Sequence, residues 1–512
     1  MDATETKIDS TPDKEEQKFE NAVTNRAGCE PVEVGFDRDD PQDPQNGWTT
    51  VKRWRVLCMA LFITFTSTYN STSNGAAGKG VEEEFGVSSE VFQVSGFAYQ
   101  LMLGVGPLFL APISETFGRR NMLVVLTGLI TILFLPQALA PNFASICATR
   151  FFQGLAGSVE GPVVAGVVAD LFAKRNRGRA MATFVLIVYA GNACGPTIGN
   201  WMAYKVSWRW VYWIQMCMSG VSFLLCLFFL PETRGEIILS KRVGRLEQET
   251  GRPHYIRGAA RIDGWGEAVK VSATRPLVYL FTEPIVALCA TWIGTAWGVV
   301  FLFTGAIPTV FKNVYGFNQG TSGTVLITGL IGALIGWAEN ETVQERLYRR
   351  AIEKGRGKAQ PEVRLYSSAI GAFLFAAGSF GFAWTARPWI PWIAPCIFIT
   401  IANLGLYTIY LATYSYLSDV YERYSSSAQA AQSLLRGVMG ACFPFFGNIM
   451  YAKLTYKWAS SLVGFVALGF CIVPWLVIIY GPEFRARSKV ARALAHEEGD
   501  VLNDEPDVVA AV

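Results

Sequence analysis

Glu160 is the acidic residue of this 512-residue chain that is best placed to carry a proton. It lies in an apolar stretch at residues 145–170, between Val159 and the pair Gly161-Pro162. A carboxyl group inside a membrane is costly when charged and is usually functional, and such a group can release a proton and take it up again. The apolar stretches contain no histidine, so carboxyl groups are the natural proton carriers. Glu160 is therefore predicted to couple proton movement to another event.

Arg436 is a basic residue in the middle of another apolar stretch, at 428–450. A buried guanidinium needs a partner of opposite charge, so Arg436 either binds an anionic substrate or pairs permanently with Glu160. A pair between Glu160 and Arg150 is less expected, because ten residues of helix separate them by about 15 Å. Glu160 and Arg436 are thus the candidates for proton coupling.

A charged turn joins the second and third apolar stretches. It contains Glu115, Gly118, Arg119 and Arg120, and Asp170 stands at the end of the fourth stretch. A carboxylate near two arginines can form a partly buried charge cluster that holds one conformation and releases it on protonation or substrate binding. The alternative is that the arginines only fix the orientation in the membrane while Gly118 makes the turn.

The fifth apolar stretch carries glycines every fourth residue beside a proline. Gly191, Gly195 and Gly199 fall on one face of a helix, and Pro196 removes a backbone hydrogen bond and bends that helix. The pattern predicts close packing on a neighbour, with or without a further role in transport.

Polar and aromatic residues within the apolar stretches are candidates for the wall of a substrate cavity, although such stripes often serve packing alone. The candidates are Asn70, Asn74, Tyr189, Asn192, Trp297, Asn403, Tyr407 and Tyr410.

The composition is that of a membrane protein. Hydrophobic residues make up 51% of the chain and charged residues only 17%, against about 25% charged in soluble domains. The net charge of +3 indicates no nucleic-acid surface. The ten cysteines stand without metal-binding spacing, and both histidines, His254 and His496, lie in hydrophilic segments. No metal, cofactor or catalytic triad is expected, so an enzyme is the least favoured class.

Twelve stretches approach the roughly 20 apolar residues that a membrane-spanning helix needs. The eighth is the weakest, because Glu339 and Glu341 stand at its end. The predicted spans are 54–74, 92–112, 121–140, 145–170, 180–202, 210–230, 284–306, 322–339, 366–386, 391–413, 428–450 and 459–481.

The chain repeats after six spans. A Pro-x-x-Gly-Asn sequence begins at Pro196 in span 5 and at Pro444 in span 11, and an aspartate ends the segments at Asp170 and Asp419. Two same-sense copies of a six-helix unit place a substrate site between the halves. The predicted fold is therefore an all-α integral membrane protein with twelve transmembrane helices in two pseudo-symmetric halves.

Five regions follow from this reading, and the basic residues orient them. Basic clusters occupy alternate joints, and the positive-inside rule assigns those joints and both termini to the cytoplasm. The regions are a disordered N-terminal tail at 1–53, the N-terminal half at 54–230, a linker at 231–283, the C-terminal half at 284–481 and a C-terminal tail at 482–512.

These motifs resemble those of the major facilitator superfamily, and within it the fungal twelve-span drug:proton antiporter group. The hairpin motif of the family is Gly-x-x-x-Asp-Arg-x-Gly-Arg-Arg. Here it reads Ala111-x-x-x-Glu115-Thr116-x-Gly118-Arg119-Arg120, without the first Gly and the first Arg. The resemblance implies that the hairpin is a conformational latch, with Asp170 in the same cluster.

Four further motifs are similar to this group, and the span 5 motif implies a role in the direction of antiport. In chain order they are Asp39-Asp40-Pro41 with Asn46 and Trp48 before span 1, Arg150-Phe-Phe-Gln153-Gly154 opening span 4, Gly191-x-x-x-Gly195-Pro196-x-x-Gly199-Asn200 in span 5, and Pro231-Glu232-Thr233-Arg234 ending span 6.

Together these features predict a proton-coupled efflux transporter that exports small amphipathic molecules, such as drugs, toxins or fungal secondary metabolites, by alternating access. The expected partners are the lipid bilayer, the substrate and protons, with the chain acting as a monomer in the plasma membrane or, alternatively, the vacuolar membrane. An uptake symporter or facilitator for an organic acid, amine or vitamin is the alternative within the same fold. A non-transporting membrane sensor is disfavoured by the short tails.

Overall fold

The structure, a computed structural model, describes residues 32–37, 40–172, 177–256, 265–355, 360–421 and 425–488. A few side chains within these ranges, including that of Glu115, also lie outside the description, as does the whole of Asp39.

The described chain is almost entirely helical. In chain order its elements are β1 (Val32–Val34), α1 (Thr50–Phe85), α2 (Ser89–Phe117), α3 (Arg119–Ala138), α4 (Phe143–Gly157), α5 (Glu160–Leu171), α6 (Arg177–Lys205), α7 (Arg209–Phe229), α8 (Gly235–Thr250), β2 (His254–Ile256), α9 (Trp265–Thr282), α10 (Pro284–Tyr315), α11 (Gln319–Thr324), α12 (Ile327–Glu339), a π-helical turn (Asn340–Gln344), α13 (Glu345–Lys354), a 3-10 helix (Pro361–Leu365), α14 (Tyr366–Thr385), α15 (Ile393–Tyr421), α16 (Ser425–Lys453), α17 (Tyr456–Phe470) and α18 (Ile472–Arg487).

Each predicted span coincides with one helix or with a run of helices: span 4 is α4 and α5, span 8 is α11 to α13, and span 12 is α17 and α18. In the part of the chain that is described, nine stretches are long and apolar enough to cross a membrane. The three other spans are α1, α2 and α16, of 36, 29 and 29 residues. Even 29 residues of helix reach about 44 Å, more than the roughly 30 Å of hydrocarbon in a bilayer.

Helix pairs recur at equivalent positions in the two halves. In the N-terminal half α1 packs along α6, α2 against α4, and α3 against α7. In the C-terminal half α10 packs along α16, α12 against α15, and α14 against α17. These are the same pairs displaced by six spans, as the sequence repeat predicts. Between the halves, α2 packs on α16 and α6 packs on α11 and α12.

The segment before α1 and the linker after α7 form a small structured unit on one side of the helices, called the linker face below. β1 pairs in parallel with β2, with Val32 opposite His254. Asp40 is buried and forms an ion pair of 2.6 Å with Arg242 of α8. The sequence predicts a disordered tail up to residue 53, and for the described part of it this prediction is wrong. Its polar side chains bind the linker instead of remaining solvated.

Asp40→Asn is expected to loosen this unit at neutral pH. The hydrogen bond from Arg242 holds the pKa of Asp40 below its ordinary value, so the ion pair forms above that pKa and is lost only as pH falls through it. Losing a charged hydrogen bond of about 1.5 kcal/mol predicts roughly tenfold faster amide exchange in β1, which hydrogen-exchange mass spectrometry can measure. Asp37→Asn, at a neighbouring exposed carboxylate, is the control and should not change exchange.

The two halves touch at both membrane faces. At the linker face Arg179 of α6 pairs with Glu341 beyond α12 at 2.9 Å. At the opposite face the indole of Trp201 donates to Thr324 at 2.9 Å. The space between the halves therefore lies between two closed contacts.

Candidate functional site

Glu160 begins a new helix in the middle of span 4. α4 ends at Gly157, and α5 starts at Glu160 with Pro162 in its first turn, where the missing N–H removes no intrahelical bond. The sequence predicts an uninterrupted span, although Gly157, Gly161 and Pro162 together are a signal for this break. The interruption places Glu160 at a helix N-terminus, where the helix dipole favours a negative charge.

The carboxyl group of Glu160 is enclosed by the N-terminal half. The residue is 3% exposed. Its neighbours include Ser67 of α1, Tyr99 of α2 and Cys226 of α7. Ser67 also lines a cavity between the two halves, so one hydroxyl group separates Glu160 from that cavity.

Arg150 is fully buried and binds α1 and α2. It donates to the side-chain oxygen and the carbonyl of Asn70 at 2.8 and 3.2 Å, and its guanidinium lies 4.8 Å from the centre of the Tyr99 ring. In the part of the chain that is described, no ion pair joins Glu160 to Arg150 or to Arg436. The hypothesis of a permanent ion pair therefore has no support in these contacts.

Gln153 and Gly154 complete the packing of α4. Gln153 accepts a hydrogen bond from Gln137 of α3 at 2.8 Å. Gly154 lies against the backbone of α2, where a Cβ atom would be 2.3 Å from the carbonyl of Tyr99. The span 4 motif therefore fixes α4 to three neighbours, through Arg150 to α1, Gln153 to α3 and Gly154 to α2.

Two adjoining cavities lie between the halves. Side chains from α1, α2, α6, α10 and α16 line the first, called the polar cavity, and they include Ser67, Thr68, Ser71, Gln100, Asn192, Trp297, Ser433 and Arg436. Apolar side chains dominate the second, called the apolar cavity, and they include Val299, Val300, Phe303, Ile307, Leu326, Phe375, Ile399 and Leu406. Asn192 lines both cavities, so the two adjoin at this residue.

The structure divides the predicted cavity residues into three sets: residues that line a cavity, residues that support its wall, and residues that contact neighbours within the N-terminal half. Tyr189, Asn192, Trp297 and Asn403 line one of the cavities. Tyr407 and Tyr410 support that wall, their rings 5.7 Å from Tyr189 and 5.3 Å from Trp297.

Asn70 and Asn74 are not in the lining of either cavity. Asn70 binds Arg150, and Asn74 donates to Ser95 and accepts from Tyr212. Both amides therefore contact neighbours within the N-terminal half in this structure, and their part in a substrate cavity stays a prediction.

Ser67 and Gln100 are absent from the predicted set. A hydroxyl and an amide within apolar spans are the signals that could have found them.

The glycines of α6 form its contact with α1. A Cβ at Gly191 would approach Thr68, one at Gly195 would lie 2.6 Å from the hydroxyl of Thr72, and one at Gly199 would lie 3.0 Å from Ala76. The predicted close packing thus occurs within the N-terminal half.

Gly195→Ala is expected to destabilise the protein by about 1–3 kcal/mol, because the added methyl also meets the carbonyl of Tyr69 at 2.7 Å. Thermal unfolding of the purified chain in detergent measures this effect. The control is Gly96→Ala in α2, where no atom lies within 4 Å of the new methyl, and it should leave the melting temperature unchanged or raise it.

The charged hairpin is held to the end of span 6. Arg119 pairs with Asp170 at 2.6 Å. Glu232 accepts the backbone N–H groups of Arg119 and Arg120 at 3.1 and 3.2 Å, and so caps α3. Gly118 has a φ of +89°, and a Cβ there would lie 2.4 Å from Glu232. The side chain of Glu115 is outside the description, so its part in a latch stays a prediction.

A second charge cluster occupies the equivalent place in the C-terminal half. Arg364 pairs with Asp419 at 3.0 Å and with Glu345 at 3.5 Å, and it stacks on the ring of Tyr348. Asp419 is the predicted counterpart of Asp170. The repeat therefore extends from the sequence to the charge pairs at the linker face.

Comparison with known proteins identifies the family. The profile of the Major Facilitator Superfamily matches residues 58–444. The MFS transporter cpaT of Aspergillus oryzae is 34% identical over 464 residues, covering 89% of this chain and 92% of that protein. The ascochitine biosynthesis cluster MFS transporter of Didymella fabae is 33% identical over 461 residues, covering 89% and 88%.

A third relative, the MFS-type efflux pump MFS2 of Trichophyton rubrum, is 32% identical over 469 residues, covering 90% of this chain and 78% of that protein. The profile match and these identities confirm the resemblance in the motifs. The chain belongs to the major facilitator superfamily and is a multi-pass membrane transporter rather than an enzyme.

Proposed function

We propose that this transporter exports small amphipathic molecules from the cell in exchange for protons. The observation that carries the proposal is the position of Glu160, a carboxyl buried in the N-terminal half one hydroxyl away from the polar cavity. A carboxyl group so placed can exchange a proton with the cavity and has no ion-pair partner among the described residues to hold it in one charge state.

Proton exchange at Glu160 acts on the cavity through Ser67. The ionised carboxylate requires hydrogen-bond donors in its enclosed position, and Ser67 is the neighbouring donor that also lines the polar cavity. The protonated carboxyl group of Glu160 does not require these donors. The charge state of Glu160 therefore changes the wall on which the substrate binds.

Alternating access requires the contacts at the two faces to open in turn. At the linker face the pair of Arg179 with Glu341 joins the halves, and the clusters around Asp170 and Asp419 stiffen the helix ends beside it. At the opposite face the contact between Trp201 and Thr324 must separate for release.

Two features support the outward direction of transport, and the proposed location for export from the cell is the plasma membrane. The Trichophyton relative carries the name efflux pump, and the Didymella relative is named for a biosynthesis cluster. The glycine and proline series of α6 also has the antiporter spacing. The proposed orientation places the linker face in the cytoplasm, as the basic residues predict.

The test is transport by the full-length chain in liposomes under an imposed pH gradient. The labelled probes are naphthalene-1-acetate, naphthalene-1-acetamide and 2-(1-naphthyl)ethylamine, and passive movement in protein-free liposomes is subtracted. An antiporter accumulates at least one probe in the acidic compartment. Accumulation in the alkaline compartment would indicate a symporter, and equilibration without accumulation a facilitator; either result contradicts the proposal.

A further inference from the structure

Arg436 is the charged residue in the described wall of the polar cavity. Its guanidinium donates to the hydroxyl of Tyr410 at 2.8 Å and lies 5.7 Å from the centre of the Trp297 ring. Neither cavity has an aspartate or glutamate in its described lining. The carboxyl group of Glu160 is enclosed by the N-terminal half. The binding region therefore carries a positive charge without a carboxylate to balance it.

Other buried polar atoms around Arg436 also lack a protein partner. They are the indole nitrogen of Trp297, the hydroxyl of Tyr189 and the side-chain oxygen of Asn192, among the described residues. Trp297 and Tyr189 are 2% and 3% exposed. A buried polar group of this kind requires a hydrogen-bond partner, and Trp297 can only donate. The hydroxyl of Tyr189 can donate or accept, and the oxygen of Asn192 accepts, so Arg436 and the indole N–H of Trp297 are the donors that an anionic group can use here.

The apolar cavity adjoins the polar cavity at Asn192, which lines both. Aliphatic and aromatic side chains surround it, including Val299, Phe303 and Phe375. A ligand that fills both cavities needs an anionic, hydrogen-bond-accepting head and an apolar body. A cationic amphiphile would place its charge beside Arg436 and have no carboxylate to bind.

We propose that the substrates are weak organic acids, each with an apolar or aromatic body in the apolar cavity and one carboxylate bound by Arg436. Trp297 donates a further hydrogen bond to that carboxylate. Charge-assisted bonds from a guanidinium are the strongest recognition available here, because the planar donors match both carboxylate oxygens. The inference deepens the proposed function by naming the substrate class, and it rests on the cavities being the transport site.

The experiment is equilibrium binding to the full-length chain in nanodiscs, with no pH gradient. The probes are naphthalene-1-acetate, naphthalene-1-acetamide and 2-(1-naphthyl)ethylamine, which share one ring system and differ in the charge of the head. We expect the acid to bind at least about tenfold more tightly than the amide and the amine at neutral pH. Arg436→Gln should remove this preference, and Arg436→Lys should retain part of it.

Two further variants keep the test decisive. Trp297→Phe retains the ring but removes the N–H donor, and should reduce acid binding several-fold even if Arg436→Gln does not fold. Arg387→Gln is the matched control, because Arg387 stacks on Trp384 and Trp389 outside the cavities, and it should bind all three probes as the unaltered chain does.

Absence of acid binding, equal affinity for acid and amide, or a preference that survives Arg436→Gln would overturn the inference. Because binding is measured without a gradient, these outcomes are independent of the direction of transport and of proton coupling. A transporter that prefers acids but fails to accumulate them in the acidic compartment would contradict the proposed antiport alone.

Discussion

Glu160→Gln is expected to abolish the dependence of transport on the pH gradient while the protein still folds and reaches the membrane. Glutamine retains the size and polarity of the side chain, and the carboxyl is 3% exposed, so the substitution removes proton exchange with little change in packing. Gradient-driven accumulation of the probe in liposomes should fall to the level of equilibration, while exchange of labelled for unlabelled substrate without a gradient should continue.

Glu339→Gln provides a matched control for this result. Glu339 is a partly buried carboxylate of the C-terminal half that also binds a serine, accepting from Ser367 at 2.7 Å. It does not line the two cavities, so its substitution should leave the gradient dependence intact. Unchanged accumulation by Glu160→Gln would eliminate Glu160 as the proton carrier. Equal loss in both variants would show that the effect is not specific to Glu160.

The sequence is sufficient to predict the spans and the family. A span is predicted from the summed hydrophobicity of about 20 neighbouring residues. This sum does not depend on distant contacts, so the spans can be predicted without a structure. The motifs are equally local, and the comparisons confirm the family that they indicate. Span 8 is the partial exception. Glu339 and Glu341 mark its end in the sequence, but the helix continues through the π-helical turn to Lys354.

The candidate site depends on helix rotation, which the sequence leaves open. Asn70 and Asn192 are both amides within spans, yet one binds Arg150 inside the N-terminal half and the other lines the cavities. The surroundings of each amide depend on which neighbouring helix packs against its face of the helix. The pairing of Val32 with His254 is likewise non-local, so the structured linker face could not be predicted from composition.

Asp170→Asn is expected to slow transport strongly without lowering the amount of protein in the membrane. Asparagine keeps the shape of the side chain but removes the charge that binds Arg119 at 2.6 Å. Arg119 and Asp170 both belong to the N-terminal half, and we expect their ion pair to form only while the linker face is closed. Losing a charged hydrogen bond of about 1.5–3 kcal/mol then lowers the ratio of closed to open linker face by a factor of about 10 to 100. Because each transport cycle must pass through the closed state, the rate of substrate exchange in liposomes should fall by up to that factor.

The control for Asp170→Asn is Glu236→Gln on the same face. Glu236 pairs with Arg234 at 2.7 Å, but its side chain is 60% exposed, so solvent screens the pair and transport should be unchanged. Glu115→Ala, measured in the same assay, tests whether that carboxyl belongs to the latch as predicted. If Asp170→Asn transports normally, or if surface level falls in parallel with the rate, the cluster fixes the helix ends or the topology and does not control the conformation.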